Sequence, residues 1–158
     1  MKQKILLVED EAILSMAKTL ILQKNDFDVV TAYKGEEAVR AVEEQPDISL
    51  ILMDIDLGSG MDGTEAAQEI LAFSELPIVF HTSHSEKEYV EKVKKITGYG
   101  YVLKSAGEFV LIESIKMAYT LFDAKQEALT HLKESRTAFD ELEMREKRLQ
   151  HVNRGLLS

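Results

Sequence analysis

Cysteine and tryptophan are absent from the 158 residues, and proline occurs only at Pro46 and Pro77. Without cysteine there can be no disulfide and no thiolate metal site, which fits an intracellular protein. Long hydrophobic runs are missing too. No apolar stretch approaches the ~18 residues that span a bilayer, and the first run, Ile5 to Val8, ends at once in acids. No signal-peptide pattern opens the chain, so it reads as cytoplasmic, with no membrane partner. Positive charge is scarce in the first part: residues 1–122 hold 12 Lys/Arg against 21 Asp/Glu, which accounts for the whole net charge of -9. Residues 123–158 hold seven of each sign. Neither part offers the basic face that binding DNA through its phosphates requires. An acidic domain points instead to a cation site or a basic protein partner.

What is present is a strict alternation. Short apolar runs at 4–8, 27–31, 48–53, 77–81 and 100–103 read as strands buried on both faces, as in a parallel sheet. Between them, amphipathic stretches at about 11–24, 35–44, 63–74 and 86–97 read as helices. In the first helix Ile13, Met16, Ala17, Leu20 and Ile21 share a face, which is expected to meet the core. Five such units in about 120 residues predict an α/β fold. The class is a flavodoxin-like (βα)5 doubly wound parallel sheet of order 2-1-3-4-5. The expected domains are 1–122 and a helical extension over 123–158.

Such sheets place ligand sites at the carboxyl edge, and there the chemistry gathers. Asp54 ends the third run, Glu9-Asp10 follow the first, Thr82 the fourth and Lys104 the fifth. A lone strand-end aspartate is more often a cap, an acid pair more often a favourable helix start, and Thr82 and Lys104 are separately unremarkable. Together they read differently. Three converging carboxylates repel one another unless a hard cation joins them, and Mg²⁺ suits a small open oxygen site. A cation, an ammonium and a hydroxyl around one carboxylate form a cage for added negative charge, such as a phosphoryl group on Asp54.

Four motifs in order, Val8-Glu9-Asp10-Glu11, Met53-Asp54-Ile55, Thr82-Ser83 and Tyr101-Val102-Leu103-Lys104, resemble those of the receiver domains of two-component response regulators. The similarity covers about residues 3–120. It implies that Asp54 accepts a phosphoryl group from the phosphohistidine of a histidine kinase or phosphotransfer domain. It implies Mg²⁺ bound by Asp10 and Asp54, with Glu9 assisting and the backbone carbonyl of Asp56 completing the protein ligands. It also makes Thr82 and Tyr101 a switch pair, although a half-buried strand aromatic accounts equally for Tyr101. Such a domain signals rather than turning over a substrate, beyond catalysing its own phosphorylation and dephosphorylation. Two departures stand out. Ser105 replaces the proline that usually follows the lysine, so a trans bond and a different local loop are expected. The loop from Ile55 to Gly63 looks one residue longer than usual and lacks its proline.

The remaining signals are weaker. His81 and His84 lack a third ligand nearby in sequence, so zinc is not expected. His131 and His151 read as solvated helix residues, and Gly58-Ser59-Gly60 as a turn. From about Glu108 past Val152 there is no proline or glycine, and one long helix is expected. In its first part Phe109, Ile112, Ile115 and Leu121 should pack on the sheet. Beyond Phe122 a thin seam of Leu129, Leu132, Phe139, Leu142, Leu149, Val152 and Leu156 predicts pairing into a coiled-coil homodimer, against a frayed tail or a cut linker. Linkers of this type resemble those joining receivers to sensory or kinase modules, so the chain reads as a fragment of a longer signalling protein, such as a hybrid histidine kinase. Two other functions compete with the receiver. One is a phosphorylation-independent dimerising scaffold. The other is a flavodoxin-like or phosphatase-type enzyme, with Asp56 as a second acid.

Overall fold

The computed structural model describes residues 2–157, with side chains through residue 152. Five strands, β1 (Lys4–Val8), β2 (Asp28–Ala32), β3 (Ile48–Met53), β4 (Ile78–Thr82) and β5 (Tyr101–Leu103), form one parallel sheet in the order β2-β1-β3-β4-β5. The helices are α1 (Ala12–Lys24), α2 (Gly35–Glu44), α3 (Gly63–Phe73), α4 (Lys87–Ile96) and α5 (Glu108–Leu157). The predicted fold class and strand order are therefore observed, each element lying within two residues of its expected bounds up to β5. Cα packing divides the chain into two compact units, Met1–Phe122 and Asp123–Ser158.

Strand alternation sorts the first unit into two cores. Leu6, Val8, Ile51, Met53, Ile78 and Phe80 face α2 and α3. Ile5, Leu7, Leu50, Leu52, Val79 and Val102 face the other way, toward Leu22 of α1 and Leu111, Ile112 and Ile115 of α5. Both faces of each central strand are covered, which is why the runs are apolar throughout rather than alternating.

Two expected helix faces are corrected. On α1, Ile13, Met16 and Leu20 are exposed, and the inward residues are Ser15, Lys18 and Leu22. These recur at three and four residues just as the apolar set does, so periodicity alone could not choose between the stripes. The ion pair between Lys18 and Glu9 settles the rotation. On α5, Ile112 and Ile115 are buried as expected, but Phe109 and Leu121 are exposed, and Leu111, Ala118 and Tyr119 complete the inward face. The Tyr119 hydroxyl reaches Ser49 Oγ at 2.8 Å, which ties α5 to β3.

In the second unit the seam residues Leu129, Leu132, Phe139, Leu142, Leu149 and Val152 are all exposed. The side chain of Leu156, the last seam position, and Gly155 beside it, lie outside the residues whose side chains are described. Among the described residues no helix is long and apolar enough to cross a membrane.

Candidate functional site

Register brings the four strand ends to one place. Val8 pairs with Met53 in the parallel β1–β3 ladder, so the next residues, Glu9 and Asp54, leave the sheet side by side. The ladder continues one step further, with the Asp54 amide donating to the Val8 carbonyl at 3.0 Å. Across β4, Thr82 pairs with Leu103, which sets Lys104 just beyond it. The convergence of Glu9, Asp54, Thr82 and Lys104 at one sheet edge thus follows from pairing alone.

Asp54 is buried at 3% exposure, yet Lys104 Nζ reaches its Oδ2 at 2.7 Å. Its Oδ1 accepts the Asp56 amide at 3.3 Å. Glu9 is completely enclosed, with Lys18 Nζ 3.3 Å from Oε2 and Lys104 Nζ 3.5 Å from Oε1. Among the described residues Oε1 has no hydrogen-bond partner. Asp10 is exposed, and an oxygen from each of Glu9, Asp10 and Asp54 falls within 4.8 Å of the others. Three hard oxygen donors that close, one of them orphaned in a buried position, fit a divalent cation of the Mg²⁺ type.

Without a cation, the two buried carboxyls diverge. Burial, helped by the adjacent Asp54 carboxylate, raises Glu9 to about 7. Burial also pushes Asp54 upward, but the Glu9 carboxyl, Lys104 and Lys18 together outweigh it and hold Asp54 below the usual aspartate range. Of the two, Asp54 is therefore the carboxyl that ionises first. Lys104 loses to burial and gains more from Asp54 and Glu9, so its pKa is raised and it stays charged.

Thr82 is fully buried, its Oγ1 accepting the His84 amide at 3.2 Å. Tyr101 is half-buried against the α2–α3 core, and its hydroxyl is shielded from water without a partner. The backbone carbonyl of Asp56 lies in the loop that leads to α3. That loop turns on Gly58 and Gly60 at φ of 74° and 90°, a left-handed region that favours glycine. Gly63 then opens α3 against the site itself: a Cβ there would stand 1.9 Å from the Asp54 carbonyl oxygen. After Lys104, the residues Lys104–Ala106 make a single 3-10 turn ended by Gly107, and no cis peptide occurs among the described residues. The loop with Ser105 is thus trans, as expected.

Three residues at the site carry no clear signal in the sequence. Lys18 carried no signal, being one lysine among many. Gly63 looked like an ordinary helix start. The spacing of His84 from His81 suggests only a zinc ligand; its Nε2 instead meets Asp56 Oδ2 at 2.6 Å and its Nδ1 meets Glu86 Oε2 at 3.3 Å, while the ring stacks on Tyr89. It ties the loop after β3 to the loop after β4.

The profile of the response regulator receiver domain matches residues 5–116. The chain belongs to this family. Among similar curated proteins, the transcriptional regulatory protein PdtaR of Mycobacterium tuberculosis is 32% identical over 122 residues, covering 76% of this chain and 58% of that protein. The oxygen regulatory protein NreC of Staphylococcus aureus is 34% identical over 120 residues, covering 73% and 54%. This chain thus spans little more than half the length of these relatives. Among solved structures, the N-terminal domain of a response regulator/sensory box/GGDEF three-domain protein from Carboxydothermus hydrogenoformans is 48% identical. Its TM-score is 0.71, with 77% of this chain and 98% of that one covered. A CheY-like receiver from Methanospirillum hungatei, at 21% identity and a TM-score of 0.73 over 79% and 99% of the chains, shares the fold.

Proposed function

We propose that this receiver takes a phosphoryl group onto Asp54 from the phosphohistidine of a histidine kinase or phosphotransfer domain, and that the phosphorylated state shifts a surface read by partners. The observation that carries the reading is Lys104 Nζ at 2.7 Å from Asp54 Oδ2, within a ring of strand-end groups. A carboxylate oxygen of Asp54 forms the new P–O bond as the P–N bond to the donor imidazole breaks. Asp54 is ionised for that attack, and Lys104 balances charge on the transferred group.

Glu9, Asp10, Asp54 and the Asp56 carbonyl are the residues that would hold Mg²⁺, which when bound neutralises charge on the phosphoryl oxygens. Lys104 provides the fixed positive charge beside it. Thr82 gives up the His84 amide to turn its hydroxyl toward the phosphoryl group. Tyr101, whose hydroxyl is already unpaired, turns its ring inward into the space that movement leaves. The same ring of groups would serve the reverse loss of the phosphoryl group to water. Incubation with Mg²⁺ and acetyl phosphate is expected to give a hydroxylamine-labile acyl phosphate. Failure of wild type to form one sinks the reading.

The second unit supports a further part of the proposal. Its exposed seam at Leu129, Leu132, Phe139, Leu142 and Leu149 favours a homodimer through the helix, which carries the switched state onward. The same seam favours the alternative, a scaffold that dimerises regardless of phosphorylation. Dimer mass and partner binding unchanged by phosphorylation would favour the scaffold.

A further inference from the structure

Lys18 occupies a place where α1 has no apparent need of a charge. It lies on the inward stripe with Ser15 and Leu22, and 6% of it is exposed. A lysine is rarely buried to this degree unless it is paired. Its partner is Glu9, itself at 0% exposure, with Nζ 3.3 Å from Oε2. Strand alternation explains the meeting. Ile5, Leu7 and hence Glu9 point to the α1 face, so the first acid of the site is aimed at the helix that carries Lys18.

Glu9 therefore stands between two ammonium groups. Lys104 is shared with Asp54, at 2.7 Å there and 3.5 Å from Glu9. Lys18 forms no hydrogen bond or ion pair besides its contact with Glu9 among those described. A divalent cation drawing on the Glu9 carboxylate, directly or through a water, meets the charge of Lys18 across that same carboxylate. Packed under α1, Lys18 cannot swing into solvent to relieve the repulsion, and at low local dielectric the repulsion is strong.

We propose that Lys18 is a built-in counter-ion for Glu9 that satisfies the site in the absence of metal and weakens its hold on divalent cations. The proposal rests on the reading that Glu9, Asp10 and Asp54 form the cation site. Lys18 is a positioning residue: it touches neither the phosphoryl group nor Asp54 and acts through Glu9. Occupancy of the site, and with it the rate of phosphorylation, becomes graded by cation concentration instead of being saturated throughout.

The test is binding to the full chain. Mn²⁺ is titrated into wild type, Lys18→Met and Lys18→Arg, with free Mn²⁺ read by electron paramagnetic resonance and Mg²⁺ used as competitor. Lys18→Met is expected to bind roughly tenfold more tightly or better, and its melting temperature to rise more with Mg²⁺ than that of wild type. Lys18→Arg is expected to stay near wild type. Equal or weaker binding by Lys18→Met overturns the proposal. In wild type, where folding is not at issue, the Lys18 Nζ and Cε resonances are expected to shift with Mg²⁺ along the same binding curve as the Asp54 and Asp56 amides. Saturation of the amides without movement of Lys18 overturns the proposal and leaves the cation site standing. Absence of saturable binding in all three proteins overturns the cation site itself, and the proposal with it.

Discussion

Lys104 at the end of β5 and Asp54 at the end of β3 meet at 2.7 Å although β4 lies between their strands. The contact closes the ring of strand ends and makes Lys104 the positive charge nearest the acceptor. Lys104→Met keeps the length and packing of the stem but removes the charge. It is expected to slow Mg²⁺-dependent phosphorylation of Asp54 by about a hundredfold, the usual scale for losing one preorganised electrostatic group. Single-turnover labelling with a small phosphodonor measures it.

Gly63 is the tightest point between the sheet and α3. A methyl group there would stand 1.9 Å from the Asp54 carbonyl oxygen and 2.9 Å from the Ile55 Cα, both backbone atoms that cannot give way. Gly63→Ala is expected to cost about 3 kcal/mol or more, lowering the urea midpoint. An unchanged midpoint would mean that the β3–α3 loop is far more pliable than its backbone contacts indicate.

His81 gives the first unit an acid-sensitive term. It is buried on β4 with Nδ1 unpartnered. Burial, with Lys18 and Lys104 adding to it, lowers its pKa from 6.5 to about 4. Between those two values the unfolded chain binds a proton that the folded chain refuses. Stability from this group is therefore full above pH 6.5 and is lost as pH falls toward 4. The loss amounts to about 3 kcal/mol at the limit. His81→Leu is expected to flatten this part of the profile. Urea unfolding at several pH values between these limits measures the change in slope, and an unchanged slope would mean that His81 protonates freely in the fold.

His84 ties two loops together at the site mouth, through Asp56 at 2.6 Å and Glu86 at 3.3 Å. Asp56 and Glu86 are largely exposed, so solvent screens both pairs and they add little to global stability. Their effect is local. His84→Ala is expected to leave the unfolding midpoint nearly unchanged while amide exchange speeds up in residues 56–60 and 83–89. Exchange that rises evenly over the first unit would instead indicate global loosening.

The seam of the second unit leaves Leu132 and Leu142 exposed. Leu132→Glu with Leu142→Glu in the full chain is expected to lower the solution mass from dimer to monomer in sedimentation equilibrium. A wild-type chain that sediments as a monomer at all accessible concentrations contradicts pairing.

Much of this was legible in the sequence, for a physical reason. Strands buried on both faces are short and apolar throughout, so their ends are sharply marked, and parallel pairing carries residues at those ends to one edge. Pairing of this kind is why Glu9, Asp54, Thr82 and Lys104 can be placed together from the sequence. Helix rotation was not legible in α1, because Ile13, Met16 and Leu20 repeat with the same period as Ser15, Lys18 and Leu22. Only the third-dimensional contact of Lys18 with Glu9 chooses between the two stripes. Phe109 and Leu121 on α5 failed similarly, as apolar residues lie around most of that helix. The His84–Asp56 tie joins loops 28 residues apart, a separation at which spacing carries no signal.

Intact mass with peptide mapping decides whether Asp54 is the acceptor. Wild type and Asp54→Ala are each incubated with Mg²⁺ and acetyl phosphate, with an excess of chelator as the metal-free control. One phosphoryl group is expected on wild type, mapped to the peptide containing Asp54, and none on Asp54→Ala or in chelator. A phosphoryl group that persists on Asp54→Ala, or a wild type that takes up none, would contradict Asp54 as the acceptor.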